Sequence, residues 1–578
     1  MRGLLILKRV FLSGGALTLL SLTGASANGD EIGESCASCH GVLVDEYRET
    51  GMARAIERLA PGEFEGLSSV KDHDTGLSYA LRESSEGFRI AESWGTANAR
   101  VSRELPLLYA IGAGRLDRSY VALEGGMEWF APLEVLSQSG EMKRHAALAP
   151  GHEIVPGLRF QTGITNECLA CHTDSPPAIS YPSNLHDSTW QPHGISCEAC
   201  HSAGEKHAQH RAAEAKGEDP VVALQDLELA ERISLCARCH LQGDARISLT
   251  GSRSLSTPGT DLLEEWAVYL PEEQDEDVAF VSQVERMLSS VCFTASLEGD
   301  ARPLECTTCH DPHRSLDVPA ERARVRASCM KCHEAADDDC SRPKDVVTER
   351  DCVGCHMPLV NVFDVSGVRI HDHEIARSPA PTKSYSKIRV KHSERGEVKR
   401  FAWPWKGEAS EEDPGLEMMA ALIAGGPRRA QGLVGEKPGP ESRRLATYHH
   451  LRGVLLEGRG ELDEARRSYM RALLLDPESG ESSVNLSIVL GRMSRAAEGI
   501  AILDELLERH PRAEGAWRNR SLLKNSIGDV RGFAEDLKRA HSILPRAENA
   551  RALAAVSRRL GDESTARLWE QRAKLLSP

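Results

Sequence analysis

Apolar and polar positions alternate in two stretches of the N-terminal part. "LSYALRESSEGFRIAESW" (77–94) alternates on both sides of a Ser/Gly turn, and "SYVALEGGMEWFAPLEV" (119–135) repeats the design around Gly125-Gly126. A period of two lines one face of an extended chain with apolar side chains, so the pattern predicts two hairpins and a small antiparallel sheet, at about 60–140. On the plainest reading such a sheet only covers the edge of a larger body.

The C-terminal part follows a different period. Pro477, Pro511 and Pro545 are 34 residues apart, and Pro578 follows after 33. Gly460, Ser494, Gly528 and Gly561 keep the same step, as do Ala472, Leu506, Ala540 and Ala573. This is the spacing of tetratricopeptide repeats, in which each period holds a helix pair and proline closes the second helix. The first repeat carries the pattern best, with Gly453, Ala465, Tyr469, Ala472 and Pro477, and Trp517 opens the third. Ser487 and Gly499 stand where glycine and alanine are usual. The spacing predicts four stacked helix pairs over 436–578, with an unrelated helical bundle as the alternative. Stacked pairs form a concave surface for a protein partner or a second copy, and this one carries no nucleophile, metal cluster or phosphate loop.

Residues 1–27 read as an export signal: Arg2, Lys8 and Arg9, an apolar run from Val10 to about Leu22, then Ala25-Ser26-Ala27 as a cleavage site. An uncleaved anchor is the alternative, and no later stretch is apolar long enough to span a bilayer. Between the two patterned regions, 379–435 reads as a linker. It contains Pro379, Pro381, the basic "KSYSKIRVKHSERGEVKR" and a short helix at "GLEMMAALI".

Composition changes this picture. Only 5% of the 578 residues are aromatic and 40% hydrophobic, which is lean for a chain of this size. There are sixteen cysteines, and fourteen of them form CxxC pairs directly followed by histidine. The motifs are Cys36/Cys39/His40, Cys168/Cys171/His172, Cys197/Cys200/His201, Cys236/Cys239/His240, Cys306/Cys309/His310, Cys329/Cys332/His333 and Cys352/Cys355/His356. A redox CxxC or a zinc ribbon has no use for the adjacent histidine. Covalent haem attachment does, because two thiols bond the vinyl groups while the next imidazole ligates the iron. Seven repetitions therefore predict seven covalent c-type haems in an exported, periplasmic chain. Their porphyrins supply the apolar bulk that the side chains lack. A net charge of -16 argues against a nucleic-acid partner.

The segment 36–378 resembles multihaem c-type cytochromes of the cytochrome c-554 and doubled-CxxCH kind, in the lineage with C-terminal tetratricopeptide repeats. The resemblance rests on "YAIGAGRLDRSY" (109–120), "NECLACHTDSP" (166–176), "GISCEACHSAGEKH" (194–207), "CTTCHDPH" (306–313) and "DCVGCHMP" followed by "HDHEI" (351–375). It implies a mainly α fold, with a loop-rich heptahaem domain (28–378) holding the β insertion, then an α-solenoid. It also implies electron transfer between a donor and an acceptor protein through closely packed haems. In some relatives one open haem acts on small nitrogen or sulfur compounds.

His207, His313 and His373 trail their motifs and are the candidate distal ligands, each reaching the iron of a neighbouring haem. His73 in "VKDHDTGLSY" matches a family histidine. Each of these could instead be an ordinary surface residue. Outside the motifs, residues 28–400 hold eleven histidines for seven irons, so the count neither requires nor excludes an open site. One departure favours it: Gly367 stands where relatives have a histidine, and His371 is the nearest substitute. Met52 is a further candidate ligand that more simply packs. The leftover pair, Cys292 and Cys340, is expected to form a disulfide in an oxidising compartment. Two readings stay open: an electron carrier, or an oxidoreductase with one five-coordinate haem.

Overall fold

The computed structural model describes residues 32–576, apart from 66, 68, 72–76, 97–98, 137–140, 145–159, 161, 178–180, 252–257, 272–277, 299–301, 334–351, 363–367, 377–397 and 408–412. The signal segment, His73, Cys340 and Gly367 lie outside the described residues.

The two expected hairpins are present within a larger sheet. They are β3 (Ser78–Ser84) with β4 (Gly87–Thr96), and β6 (Asp117–Glu124) with β7 (Met127–Leu136). The long β5 (Ala99–Ile111) joins them by pairing β4 on one side and β6 on the other. With β1 (Ile56–Arg58), β2 (Val70–Lys71) and β8 (Glu141–Arg144) the sheet has eight strands, all antiparallel to their neighbours. Its middle is buried on both faces. Ala110, Tyr120 and Ala122 face one cluster with Leu77, Ile90 and Leu133. Tyr109, Ile111 and Val121 face the other, with Ile164 and Leu169 next to the second CxxCH motif.

The β6–β7 turn shows why two glycines are needed there. Gly125 and Gly126 have φ of 65° and 76°, the left-handed values of a tight hairpin turn. They also meet the C-terminal repeats: a Cβ on Gly125 would lie 2.1 Å from the Ile543 carbonyl oxygen, and the Arg512 guanidinium donates to the Gly125 carbonyl. Ile543 and Leu544 join the core of the sheet, with Trp517 packed against it. Tyr181 packs into the repeats, its ring 5.8 Å from that of His510. The sheet therefore seats the solenoid, which is more than the edge cover that its sequence suggests.

The C-terminal region forms four helix pairs: Ala446–Gly458 with Leu462–Leu475, Gly480–Arg492 with Ala496–Arg509, Glu514–Ser526 with Val530–Ile543, and Ala547–Arg559 with Glu563–Leu576. The periodic Gly460, Gly528 and Gly561 take positive φ in the turn within each pair, and Ser494 takes φ 62° at the equivalent place. Small residues set the helix spacing. A Cβ on Gly453 would come 2.6 Å from the Tyr469 ring. In the second repeat the two unusual residues meet each other, since a Cβ on Gly499 would lie 2.9 Å from the Ser487 carbonyl oxygen.

The stretch expected as a linker carries structure at its C-terminal end. Strand Val398–Arg400 completes a three-stranded sheet with Ala245–Ser248 and Trp266–Pro271. Helix Pro414–Ile423 buries Leu416, Met418 and Met419 completely, in one core with Tyr269 and the first repeat. Asp413 caps that helix, accepting from Gly415, Leu416, Gly439 and Ser442. Charge and proline content mark the stretch as polar, but the apolar run after Pro414 finds a buried surface on both sides.

Candidate haem sites

Each CxxCH motif sits on one turn of helix, where an i, i+3 spacing points two side chains to one face. The motifs lie on Glu34–Arg48, Asn166–Leu169, the 3-10 turn Cys197–Ala199, Leu229–His240, Cys306–Cys309, Pro319–Met330 and Cys352–His356, or run on from them. A backbone bond from histidine to the first cysteine closes the turn in several, as from His201 to Cys197 (2.9 Å) and from His310 to Cys306 (2.9 Å).

All seven motif histidines line a single connected cavity of about 4560 Å³, as do all the motif cysteines except Cys168. The cavity wall is formed by the motifs and by Tyr47, Met52, Met287 and Leu304 among others. Among the described residues no three His, Cys, Asp or Glu side chains converge as a bare metal ion requires. The thiols instead spread along the walls of a large space.

Three histidine pairs face each other across it. The rings of His40 and His207 are 6.5 Å apart at an interplanar angle of 24°. His201 and His313 are 6.0 Å apart at 15°, and His310 and His373 are 6.2 Å apart at 29°. Two imidazoles on opposite sides of one metal, each bonded at about 2 Å, have ring centres about 6 Å apart. The residues present fit a haem iron between each pair. In all three, the non-motif member belongs to a different motif's trailing segment.

The distal side of each pair is anchored through Nδ1, which leaves Nε2 free for a metal. His207 Nδ1 bonds Asp219 (2.6 Å), His313 Nδ1 bonds Asp311 (3.0 Å), and His373 Nδ1 bonds the His371 carbonyl (2.9 Å). His356 bonds the Ala376 carbonyl in the same way (2.7 Å). Burial and the neighbouring His310 push His373 down to about 4. Burial also lowers His172, His201, His240 and His310, holding these imidazoles neutral, the form that ligates.

Thiol contacts set which motifs adjoin. Cys36 interacts with Cys197, Cys171 with Cys239, and Cys236 with Cys306. Cys200 lies near Cys236, and Cys329 near both Cys309 and Cys352. In space the motifs therefore run first, third, fourth, fifth, sixth, seventh, with the second beside the fourth. Cys292 lines the same cavity, near Cys332 and Cys309. Met52 and His371 line it too. His371 bonds the Met357 carbonyl through Nδ1 (2.7 Å) and has no ring partner among the described residues at the spacing of the three pairs.

Sequence reasoning did not single out the anchors. Asp311 was within reach, inside "CHDPH" between a motif and its trailing histidine. Asp219 carried no signal, since it is brought to His207 only by the chain reversal after helix Gly204–Ala212.

Two family models match the chain: cytochrome c554 and c-prime over residues 138–202, and the doubled CXXCH motif over 300–338. No curated relative matches it. Among solved structures, MamA 41-end from Desulfovibrio magneticus RS-1 is similar at 17% identity and TM-score 0.26, covering 29% of this chain and 97% of that one. MamA AMB-1 is similar at 15% identity and TM-score 0.25, covering 28% and 96%. With its repeated CxxCH motifs around one cavity, its two family matches and its 34-residue helix pairs, the chain is a multihaem c-type cytochrome of the cytochrome c554 and doubled-CXXCH kind with C-terminal tetratricopeptide repeats.

Proposed function

We propose that the chain carries seven covalent haems and transfers electrons along them in the periplasm, between a donor and an acceptor protein, with the repeats docking one partner or a second copy. A c-type haem supplies one-electron exchange at its iron. The chain's own part is to bond each porphyrin twice, to clamp iron between imidazoles and to keep neighbouring motifs in contact. The observation that carries the reading is the set of three histidine pairs 6.0–6.5 Å apart. A filled axial position favours a carrier, because it leaves no room for substrate.

Mass spectrometry of the mature, denatured protein is expected to show seven additions of about 0.6 kDa, one for each motif. Electron paramagnetic resonance then tests ligation. His207→Ala, His313→Ala and His373→Ala are each expected to convert one low-spin signal to high-spin. Unchanged spectra in all three would remove the pairing.

A second reading has one specific motivation. His172, His240, His333 and His356 line the cavity without an imidazole at the paired spacing among the described residues. An iron there with an open position would bind a small nitrogen or sulfur compound, making the protein an oxidoreductase. A high-spin signal in the unmodified protein that shifts with nitrite, hydroxylamine or carbon monoxide would establish it; its absence leaves the carrier.

A further inference from the structure

Three titratable side chains form one hydrogen-bonded row on the sheet face that looks toward the second motif. The Tyr109 hydroxyl, on β5, donates to Glu128 Oε2 on β7 at 2.5 Å, and His186 Nδ1 lies 2.6 Å from Glu128 Oε1. Tyr109 is 1% exposed and Glu128 4%, while the His186 side chain keeps 25% of its surface in solvent. The inner end reaches the motif: Tyr109 shares a core cluster with Leu169, which sits inside "CLACH". Burial, then Glu128, then the Cys168 thiol push the Tyr109 hydroxyl up. Backbone fixes the outer end, since the His186 N–H donates to the Gly126 carbonyl, and Asn184 brackets Glu128 by accepting from its N–H and donating to its carbonyl.

A buried carboxylate is costly unless a cation or several donors face it. Among the described residues no lysine or arginine pairs with Glu128, and its register partner on β6 is Leu123. The further charge beside His186 is Asp187, whose carboxyl Thr189 holds below the usual range. With Tyr109 and a neutral His186 both donating to Glu128, the row carries one buried negative charge, and a proton from solvent on His186 Nε2 cancels it. We propose that Tyr109, Glu128 and His186 form a proton site coupled to the haem of Cys168, Cys171 and His172, taking up one proton as that haem takes up one electron. The balance is one electron from the donor protein to ferric iron and one proton from water to His186 Nε2. The sign follows from charge. Reduction removes a positive charge from the iron and so favours a proton nearby, and by reciprocity the bound proton raises the midpoint. The second motif lies beside the fourth, off the line of the others, so pH would set how firmly this side branch holds its electron.

The inference rests on the haem reading, and the test separates the two. Full-length wild type, His186→Gln and Glu128→Gln are compared by denatured mass and by potentiometric titration from about pH 5 to about pH 9, followed in visible and electron paramagnetic resonance spectra. A wild-type chain without covalent haem ends the underlying reading. With haem content intact, the midpoint of the second haem, identified by the signal that changes in His172→Ala, is expected to fall as pH rises. His186→Gln keeps a donor for Glu128 but cannot take the proton, so it should lower that midpoint at acid pH to its alkaline value. Glu128→Gln removes the buried charge, so it should raise the same midpoint at alkaline pH. A merely structural role would not move the two variants in opposite directions. If Glu128→Gln does not accumulate as folded protein, His186→Gln, at the solvent end of the row, decides alone. Variants that follow the wild type at every pH, that shift in the same direction, or that act on another haem overturn the coupling.

Discussion

The haem region and the repeats are stabilised in opposite ways. In the repeats each helix pair buries its own apolar stripe, with Ala465, Tyr469 and Ala472, Leu503 and Leu506, and Ala550 and Leu553 fully out of solvent. Around the CxxCH motifs the chain encloses a space of about 4560 Å³ lined by its cysteines and histidines. Such a space has no side chains to fill it, and unfilled apolar lining forfeits its contacts. One half of the molecule therefore specifies its fold from sequence, and the other needs its cofactor.

Withholding haem should break the comparison most. A fragment of residues 436–578 is expected to be helical by circular dichroism without any haem, since four helix pairs exceed the minimum of about three for a stable stack. The full chain made without haem attachment is expected to keep that helical signal while its N-terminal region is cleaved by protease. A fragment with the spectrum of a disordered chain would show that the repeats depend on the sheet they rest upon.

Raising the pH from about 4.5 to about 8 should weaken the haem region through one buried carboxyl. Burial raises the carboxyl of Glu285, on helix Gln283–Ser289, to about 8, with Arg286 opposing and Asp244 adding to the shift, and its Oε2 has no partner. A carboxyl whose pKa is higher in the fold keeps its proton there after the unfolded chain has lost it. Its contribution is complete below about 4.5 and is lost as pH rises toward about 8, an effect on the order of a few kcal/mol. Glu285→Gln should flatten that dependence and be the more stable form above pH about 8, read from thermal denaturation of the haem signal. Equal pH profiles would show that Glu285 ionises freely.

The smallest change sharpens the other side. Ser494 holds φ 62° where the sister turns use glycine, so Ser494→Gly should remove about 1 kcal/mol of strain. The expected result is a melting temperature a few degrees higher for the repeats. A lower one would mean that the backbone entropy of glycine outweighs the strain.

What could be read in advance follows the range of the interactions. CxxCH motifs, the Gly125-Gly126 hairpin and the 34-residue period are local patterns, and the pattern itself is the mechanism. The trailing histidines were also readable, though their partners were not: that His313 faces His201 depends on packing between segments more than 100 residues apart in the chain. β5 escaped because it is buried on both faces and shows no clean alternation. The packed helix at Pro414 was visible as a helix but not as part of a core, since its covering surfaces come from Tyr269 and Tyr448.

The seat of the solenoid on the sheet has a consequence for the order of assembly. Arg512 and Gly125 are 387 residues apart, and their contact closes the end of the chain onto a hairpin made near its beginning. A contact of such sequence separation is costly to close, so Leu133, Tyr120 and their neighbours lack the cover of Ile543 and Leu544 until the repeats dock. Docking of the repeats is thus a long-range closure, and what it covers is the apolar core of the sheet.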